Sequence, residues 1–289
     1  MCVAGDMKIL IAYDGSSHAD LAIDDLQWAG LPPDSNVIIV AALADTPYPK
    51  KWTEHVAAAE QMAEIGCNRF QSHFPKSDVQ LEVLTGDAAA VLLEKANAWP
   101  ADLIVAGTHG RSAFGRAVLG SVSLRLVREA HCSVRVARPR NHNGPLRLLI
   151  GVDGSEEAQA AVLQVSRRCW PAGTEARVLS VHEVLVPTSG DRTSADPRLY
   201  DQINEDEHFR LQRVATAAAE KLRHAGLIVS PVVEEADPKE ALVREARNWT
   251  ADAIFIGGSG LGHVERFNLG GVSSATVAHA PCTVEVVRQ

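Results

Sequence analysis

Lys8-Ile-Leu-Ile-Ala-Tyr-Asp-Gly-Ser16 returns as Arg147-Leu-Leu-Ile-Gly-Val-Asp-Gly-Ser155, 139 residues further on. Each is an apolar run of the kind a strand buried on both faces needs, closed by an Asp-Gly-Ser suited to opening a helix. Two more echoes lie 150 residues apart: Trp99-Pro-Ala-Asp-Leu-Ile104 with Trp249-Thr-Ala-Asp-Ala-Ile254, and Ala130-His-Cys-Ser-Val-Arg-Val-Ala-Arg138 with Ala280-Pro-Cys-Thr-Val-Glu-Val-Val-Arg288. The second copy therefore carries 11 extra residues. The offset is still 139 where Val37-Ile-Ile-Val-Ala-Ala42 meets Ala176-Arg-Val-Leu-Ser-Val181, which places the insertion in the polar run between Glu183 and Tyr200. A repeat of about 140 residues is a whole domain, too long for a solenoid unit. The turn-rich join Pro139-Arg-Asn-His-Asn-Gly-Pro145 divides the chain into domains over 1–140 and 146–289.

Within the first copy, residues 8–13, 36–42, 79–84, 102–107 and 132–138 are short and rich in Val, Ile and Leu, and read as buried parallel strands. Helical patterns separate them, over 16–29, 87–98 and 121–130. In the longest, Trp52, Val56, Ala59, Ala63, Cys67, Phe70 and Phe74 form one apolar stripe; Leu211, Val214, Ala218, Leu222 and Ala225 answer it in the second copy. The alternation predicts an α/β fold of two tandem Rossmann-like, doubly wound domains, each a five-stranded parallel sheet with helices on both faces. Ligands of such sheets bind beyond the carboxyl ends of the strands, where strand order reverses.

A formal net charge of −8 and a pI near 5.8 argue against general binding to nucleic-acid phosphates. The N-terminal apolar run is broken at Asp14 and has no basic leader, and no apolar stretch reaches membrane-spanning length, so a cytoplasmic protein with no membrane partner is expected. The five scattered cysteines, Cys2, Cys67, Cys132, Cys169 and Cys282, read as free thiols. None of the 11 histidines sits at ligand spacing with another His or Cys on one helical face, so no metal site is expected from the histidines.

Chemistry concentrates in Gly107-Thr-His-Gly-Arg-Ser-Ala-Phe-Gly-Arg-Ala-Val-Leu-Gly-Ser-Val-Ser123. Gly107 and Gly110 would let a ligand approach the main chain, while Gly120 and Ser121 open a helix whose N–H groups attract an anion. Ser121 and Ser123 add hydroxyl donors, Arg111 and Arg116 add charge, and the set suits a polyphosphate. The competing reading is that the glycines only turn the chain and Ser121 caps a helix. Asp14 ends the first strand, beside the end of the fourth in a doubly wound sheet. There it could accept from ribose hydroxyls or an adenine amino group, hold a metal bridging to phosphate, or merely cap the next helix.

These residues resemble the universal stress protein family in its tandem, ATP-binding form, over nearly all of 7–140 and 146–289. The marks are Asp-Gly-Ser after the first strand, Gly107-x2-Gly110-x9-Gly120-Ser121, and the endings Cys132-Ser-Val-Arg-Val and Pro281-Cys-Thr-Val-Glu-Val. The resemblance implies ATP, with or without magnesium, at the switch point. Asp14 would contact the adenosine portion and the main chain of Ala42 the adenine. Gly107, Gly110, Gly120, Ser121, Val122 and Ser123 would wrap ribose and phosphates, with His109 and Arg111 in the loop. Asp153, Val181, Gly257, Gly260, Gly270, Val272 and Ser273 match in the second copy. There Gly271 replaces Ser121, Ser259 replaces His109, Leu261 replaces Arg111 and Glu265 replaces Gly115. The first domain is expected to bind ATP and the second weakly or not at all.

The resemblance also implies that the last strands pair antiparallel, within the chain or in a homodimer. Arg135 and Glu285 would then either face each other as an exposed pair, contributing at most about 1 kcal/mol and tolerating exchange of both charges with stability nearly unchanged, or stand as two unrelated surface charges. The expected function is nucleotide-dependent regulation of conformation or partner choice under stress. The alternative is an ATP-hydrolysing enzyme with slow turnover, although no Gly-x4-Gly-Lys-Ser/Thr occurs. A third reading, Gly107-Thr-His-Gly110 as an RNA-clamping Gly-x-x-Gly, conflicts with the acidic balance and the preceding buried strand.

Overall fold

The computed structural model describes residues 6–44, 52–110, 119–186, 197–258 and 269–288. In the first copy β1 (Lys8–Ala12), β2 (Asn36–Leu43), β3 (Asp78–Thr85), β4 (Leu103–Gly107) and β5 (Ser133–Ala137) alternate with α1 (Ser17–Asp25), α2 (Trp52–His73), α3 (Ala88–Ala98) and α4 (Ser121–Glu129). The second copy repeats this as β6 (Arg147–Gly151), α5 (Glu156–Arg167), β7 (Glu175–His182), α6 (Pro197–His224), β8 (Ile228–Glu235), α7 (Pro238–Asn248), β9 (Ala253–Gly257), α8 (Gly271–His279) and β10 (Thr283–Val287). All pairings within a copy are parallel, and β5 meets β10 antiparallel. The ten strands form one sheet in the order β3-β2-β1-β4-β5-β10-β9-β6-β7-β8. Strand order reverses between β1 and β4, and between β6 and β9, which is where crevices open in this architecture.

The central strands are apolar on both faces because both faces are covered. Ile9 and Ile11 of β1 pack beneath α1 and α2 with Ile23 and Phe70. Leu10 faces the opposite layer, where one core runs through both copies from Ile104 and Val134 to Ile254 and Val284. Two expectations need adjustment. After Asp25 the chain tightens into a 3-10 turn over Leu26–Trp28, so α1 ends before residue 29. Part of the insertion lengthens a helix: α6 has 28 residues where α2 has 22.

Arg135 and Glu285 are register partners across β5 and β10, but they are not exposed. Arg135 is 1% exposed and Glu285 is fully buried. Arg135 donates to Asp25 at 2.6 Å and to Glu285 at 3.0 Å, Arg168 donates to both carboxylate oxygens of Glu285, and Gln164 donates to it at 2.9 Å. Thr283 donates to Asp25 at 2.8 Å. Two guanidinium groups thus balance two carboxylates in a dry seam between the copies. Burial opposes the charge on Arg135, yet Asp25 and Glu285 hold its pKa above the ordinary value.

Cys67, Cys132 and Cys282 are free, as read from their spacing, but Cys169 is disulfide-bonded, so five free thiols is incorrect. Scattered positions carry no record of which cysteines meet in space. Cys2 lies outside the described residues. No helix among the described residues is long and apolar enough to cross a membrane.

Candidate functional site

The turn from β1 into α1 explains the recurrent Asp-Gly-Ser. Gly15 has φ +72° and its counterpart Gly154 has φ +92°, a backbone region that side chains resist. Ser16 caps α1, its Oγ accepting from Ala19 N at 3.2 Å. Asp14 therefore does not serve as the cap; its Oδ1 accepts from Ser16 N at 3.0 Å. A methyl group placed on Gly110 would come 2.8 Å from Asp14 Oδ2, so the glycine loop lies directly against this carboxylate.

Gly107 has a packing role in addition to the one its sequence position suggested. A methyl there would come 2.6 Å from the main-chain oxygen of His18, so its missing side chain lets α1 approach β4. A methyl on Gly257 would likewise come 2.6 Å from Glu157 Cβ of α5. The Ser123 hydroxyl donates to Gly107 O at 2.7 Å, and Ser273 repeats this staple on Gly257 O at 2.8 Å. Each hydroxyl hydrogen is thereby committed inside the fold rather than offered to a ligand.

Gly120 caps α4 with no side chain, and its N–H donates to Thr108 O at 2.7 Å. The first helical bond is Leu124 N to Gly120 O, so the N–H groups of Ser121, Val122 and Ser123 precede the helical ladder, as at any helix start. His109 packs on His18 with ring centroids 5.2 Å apart, and its Nδ1 lies 3.1 Å from Thr108 Oγ1. His109 Nε2 is buried and has no hydrogen-bond partner. Ala42 sits one residue before the end of β2, paired with Leu84. Arg111 and Arg116 lie outside the described residues.

In the second copy the matching positions meet around one cavity of about 280 Å³, whose lining includes Asp153, Val181, Gly257, Gly270, Val272 and Ser273. Leu179, Leu242 and Ile256 give it an apolar floor, and Pro238 of α7 forms a wall. Gly260 lies outside the described residues, as do Ser259, Leu261 and Glu265. Asp153 Oδ1 accepts from Ser155 N at 2.9 Å and also from the Ser155 hydroxyl at 2.6 Å.

Sequence reasoning missed the contribution of α7. A methyl on Gly271 would come 3.4 Å from Lys239 Cε, so the stem of a lysine side chain runs beside the residue that lost the Ser121 hydroxyl. The first copy carries the buried Ala89 there. The signal was available: Asp87 and Asp237 cap α3 and α7 at this same edge of the sheet, and Lys239 follows its cap by two residues.

The sequence profile of the universal stress protein family matches residues 7–138 and 146–288. A universal stress protein of Mycobacterium tuberculosis is 27% identical over 309 aligned positions, covering 97% of each chain. A Staphylococcus aureus universal stress protein is 35% identical over 144 positions, 49% of this chain and 82% of its own. Among solved structures, a universal stress protein from Archaeoglobus fulgidus superimposes with a TM-score of 0.64 at 19% identity, covering 98% of this chain and 96% of that one.

Proposed function

The chain belongs to the universal stress protein family, and on that premise we propose that it is a nucleotide-binding regulatory protein whose first copy holds ATP. Occupancy would change its conformation or its choice of partner in a stress response. The observation that carries this reading is the meeting of a carboxylate and a helix start across the β1/β4 switch point, with Gly110 so close to Asp14 that a methyl on it would strike the carboxylate, and the N–H groups of Ser121, Val122 and Ser123 at the opening of α4. An adenosine polyphosphate matches each part. Its ribose hydroxyls donate to Asp14, its flat base lies along the main chain of Ala42, and its phosphates take the α4 N–H groups and the charge of Arg111, with magnesium or without. His109, in the loop between Gly107 and Gly110, carries a buried Nε2 without a hydrogen-bond partner.

The second copy serves as the weaker site. It lacks the Ser121 hydroxyl and the Arg111 charge, and the Ser155 hydroxyl already engages Asp153. Lys239 offsets part of the loss. A charge-assisted hydrogen bond contributes about 1.5–3 kcal/mol, so a net loss of one lowers affinity by roughly ten- to a hundredfold. Identification of the nucleotide released on denaturing natively purified protein tests the reading. Adenine nucleotide is expected, and a preparation that carries none and binds none on titration overturns it. Turnover of excess Mg-ATP at about one per second or faster would replace regulation with catalysis.

A further inference from the structure

The carboxyl edge of the second copy carries a group of side chains that the nucleotide reading does not use. His182 closes β7, Glu235 closes β8, and His208 projects from α6 over the same face. His182 and Glu235 are register partners, so their side chains leave the sheet on one side. One ligand atom from each of the three residues lies within 4.8 Å of the others. The neighbouring Val181 points the opposite way, into the cavity described above.

We propose that His182, His208 and Glu235 form a site for a transition-metal dication of the zinc type. His182 is 3% exposed, and its Nδ1 and that of His208 are both buried without a hydrogen-bond partner. Buried polar atoms are nearly always satisfied, and here a cation satisfies both at once. His208 Nδ1 stands 3.9 Å from Glu235 Oε1, too long for a hydrogen bond. A tetrahedral ion with ligands at about 2.0–2.1 Å draws its donors to roughly 3.3–3.5 Å of one another. The existing separations need only small rotamer changes to reach that.

The donor chemistry selects the ion. Two imidazoles and one carboxylate suit zinc and its neighbours, whereas calcium and magnesium favour oxygen alone. The side chains of His208 and Glu235 are 40% and 62% exposed, which leaves an approach for the ion and a fourth, exchangeable ligand. Nearby, Glu207 is occupied by Arg210 at 2.7 Å and does not compete. The duplication provides an internal control: the corresponding register pair in the first copy is Leu43 with Thr85, neither an imidazole nor a carboxylate. The fold therefore does not demand this cluster.

Untagged, chelator-treated full-length protein titrated with zinc chloride under reducing conditions, with equilibrium dialysis as the readout, tests the site. One equivalent of zinc is expected. His208→Ala and Glu235→Gln, both on partly exposed positions, should each weaken it by roughly tenfold or more while keeping the wild-type far-UV circular dichroism. Cobalt should give a visible d–d band that both variants diminish. Wild-type protein that binds no zinc at 100 times the protein concentration overturns the proposal. So do variants that bind as tightly as wild type, which would assign the metal to other groups such as the thiols.

Discussion

Glu285→Gln probes the seam between the two copies. Glu285 is fully buried and accepts hydrogen bonds from Arg135, Arg168 and Gln164. Neutralising it leaves two buried guanidinium groups facing the single carboxylate of Asp25, and turns one of the accepting oxygens into an amide that can only donate. Breaking a buried pair by removing one partner costs about 3–5 kcal/mol, equivalent to a fall of roughly 5–8 °C in Tm for a chain of this size. Equilibrium unfolding of the full chain in urea, read as the product of midpoint and slope, measures it. The exchange R135E/E285R sharpens the test. A lone exposed pair would tolerate the exchange, but here it sets a carboxylate against Asp25 and a guanidinium against Arg168, so the double variant should also be destabilised. A loss below about 1 kcal/mol for Glu285→Gln, the range of exposed pairs, would refute a dry, charge-balanced seam.

Burial raises the Cys132 thiol to about 11 and Cys282 to about 12, so both should resist a thiol reagent at pH 8 in the folded chain and react once it is denatured; native-state labelling of either would contradict this. Hydrogen bonds from Arg69, at 2.7 and 2.6 Å, hold Asp24 below the ordinary carboxylate value of 3.8. Its contribution to stability is therefore present above that value and lost as pH falls through the depressed one. Asp24→Asn should lower the urea midpoint at pH 7, with the gap to wild type closing in acid; a gap that stays constant with pH would exclude the linkage. Gly107→Val should cost stability by about 1–3 kcal/mol through the His18 main chain, whereas Gly110→Ala, which presses on Asp14, should lower nucleotide affinity with little change in Tm.

The strands and helices were legible because burial on both faces or on one stripe writes itself into every second, third or fourth residue. The duplication supplied the topology, since Lys8–Ser16 and Arg147–Ser155 each had to begin a domain. The positions around Asp14 and Asp153 were legible because glycine and Asp-Gly-Ser mark turns at fixed places on a known sheet edge. Reading why a glycine is there was harder: Gly107 looks like room for a ligand, and its missing side chain is also room for α1. Exposure was not legible either. Arg135 and Glu285 were found as partners, but their burial depends on Asp25 and Arg168, which come from α1 and the end of α5 and share no pattern with them. His182, His208 and Glu235 escaped for the same reason, because no helical or strand spacing links three different elements.

We propose one strong adenine-nucleotide site in the first copy and a weaker one in the second. Splitting the copies would expose the Arg135–Glu285 seam, so the measurement belongs on the whole chain. Calorimetric titration of ATP into wild type, Asp14→Ala and Asp153→Ala should give a single tight equivalent that Asp14→Ala abolishes and Asp153→Ala leaves in place. Two equal sites, or a tight site that survives Asp14→Ala and disappears with Asp153→Ala, would contradict it.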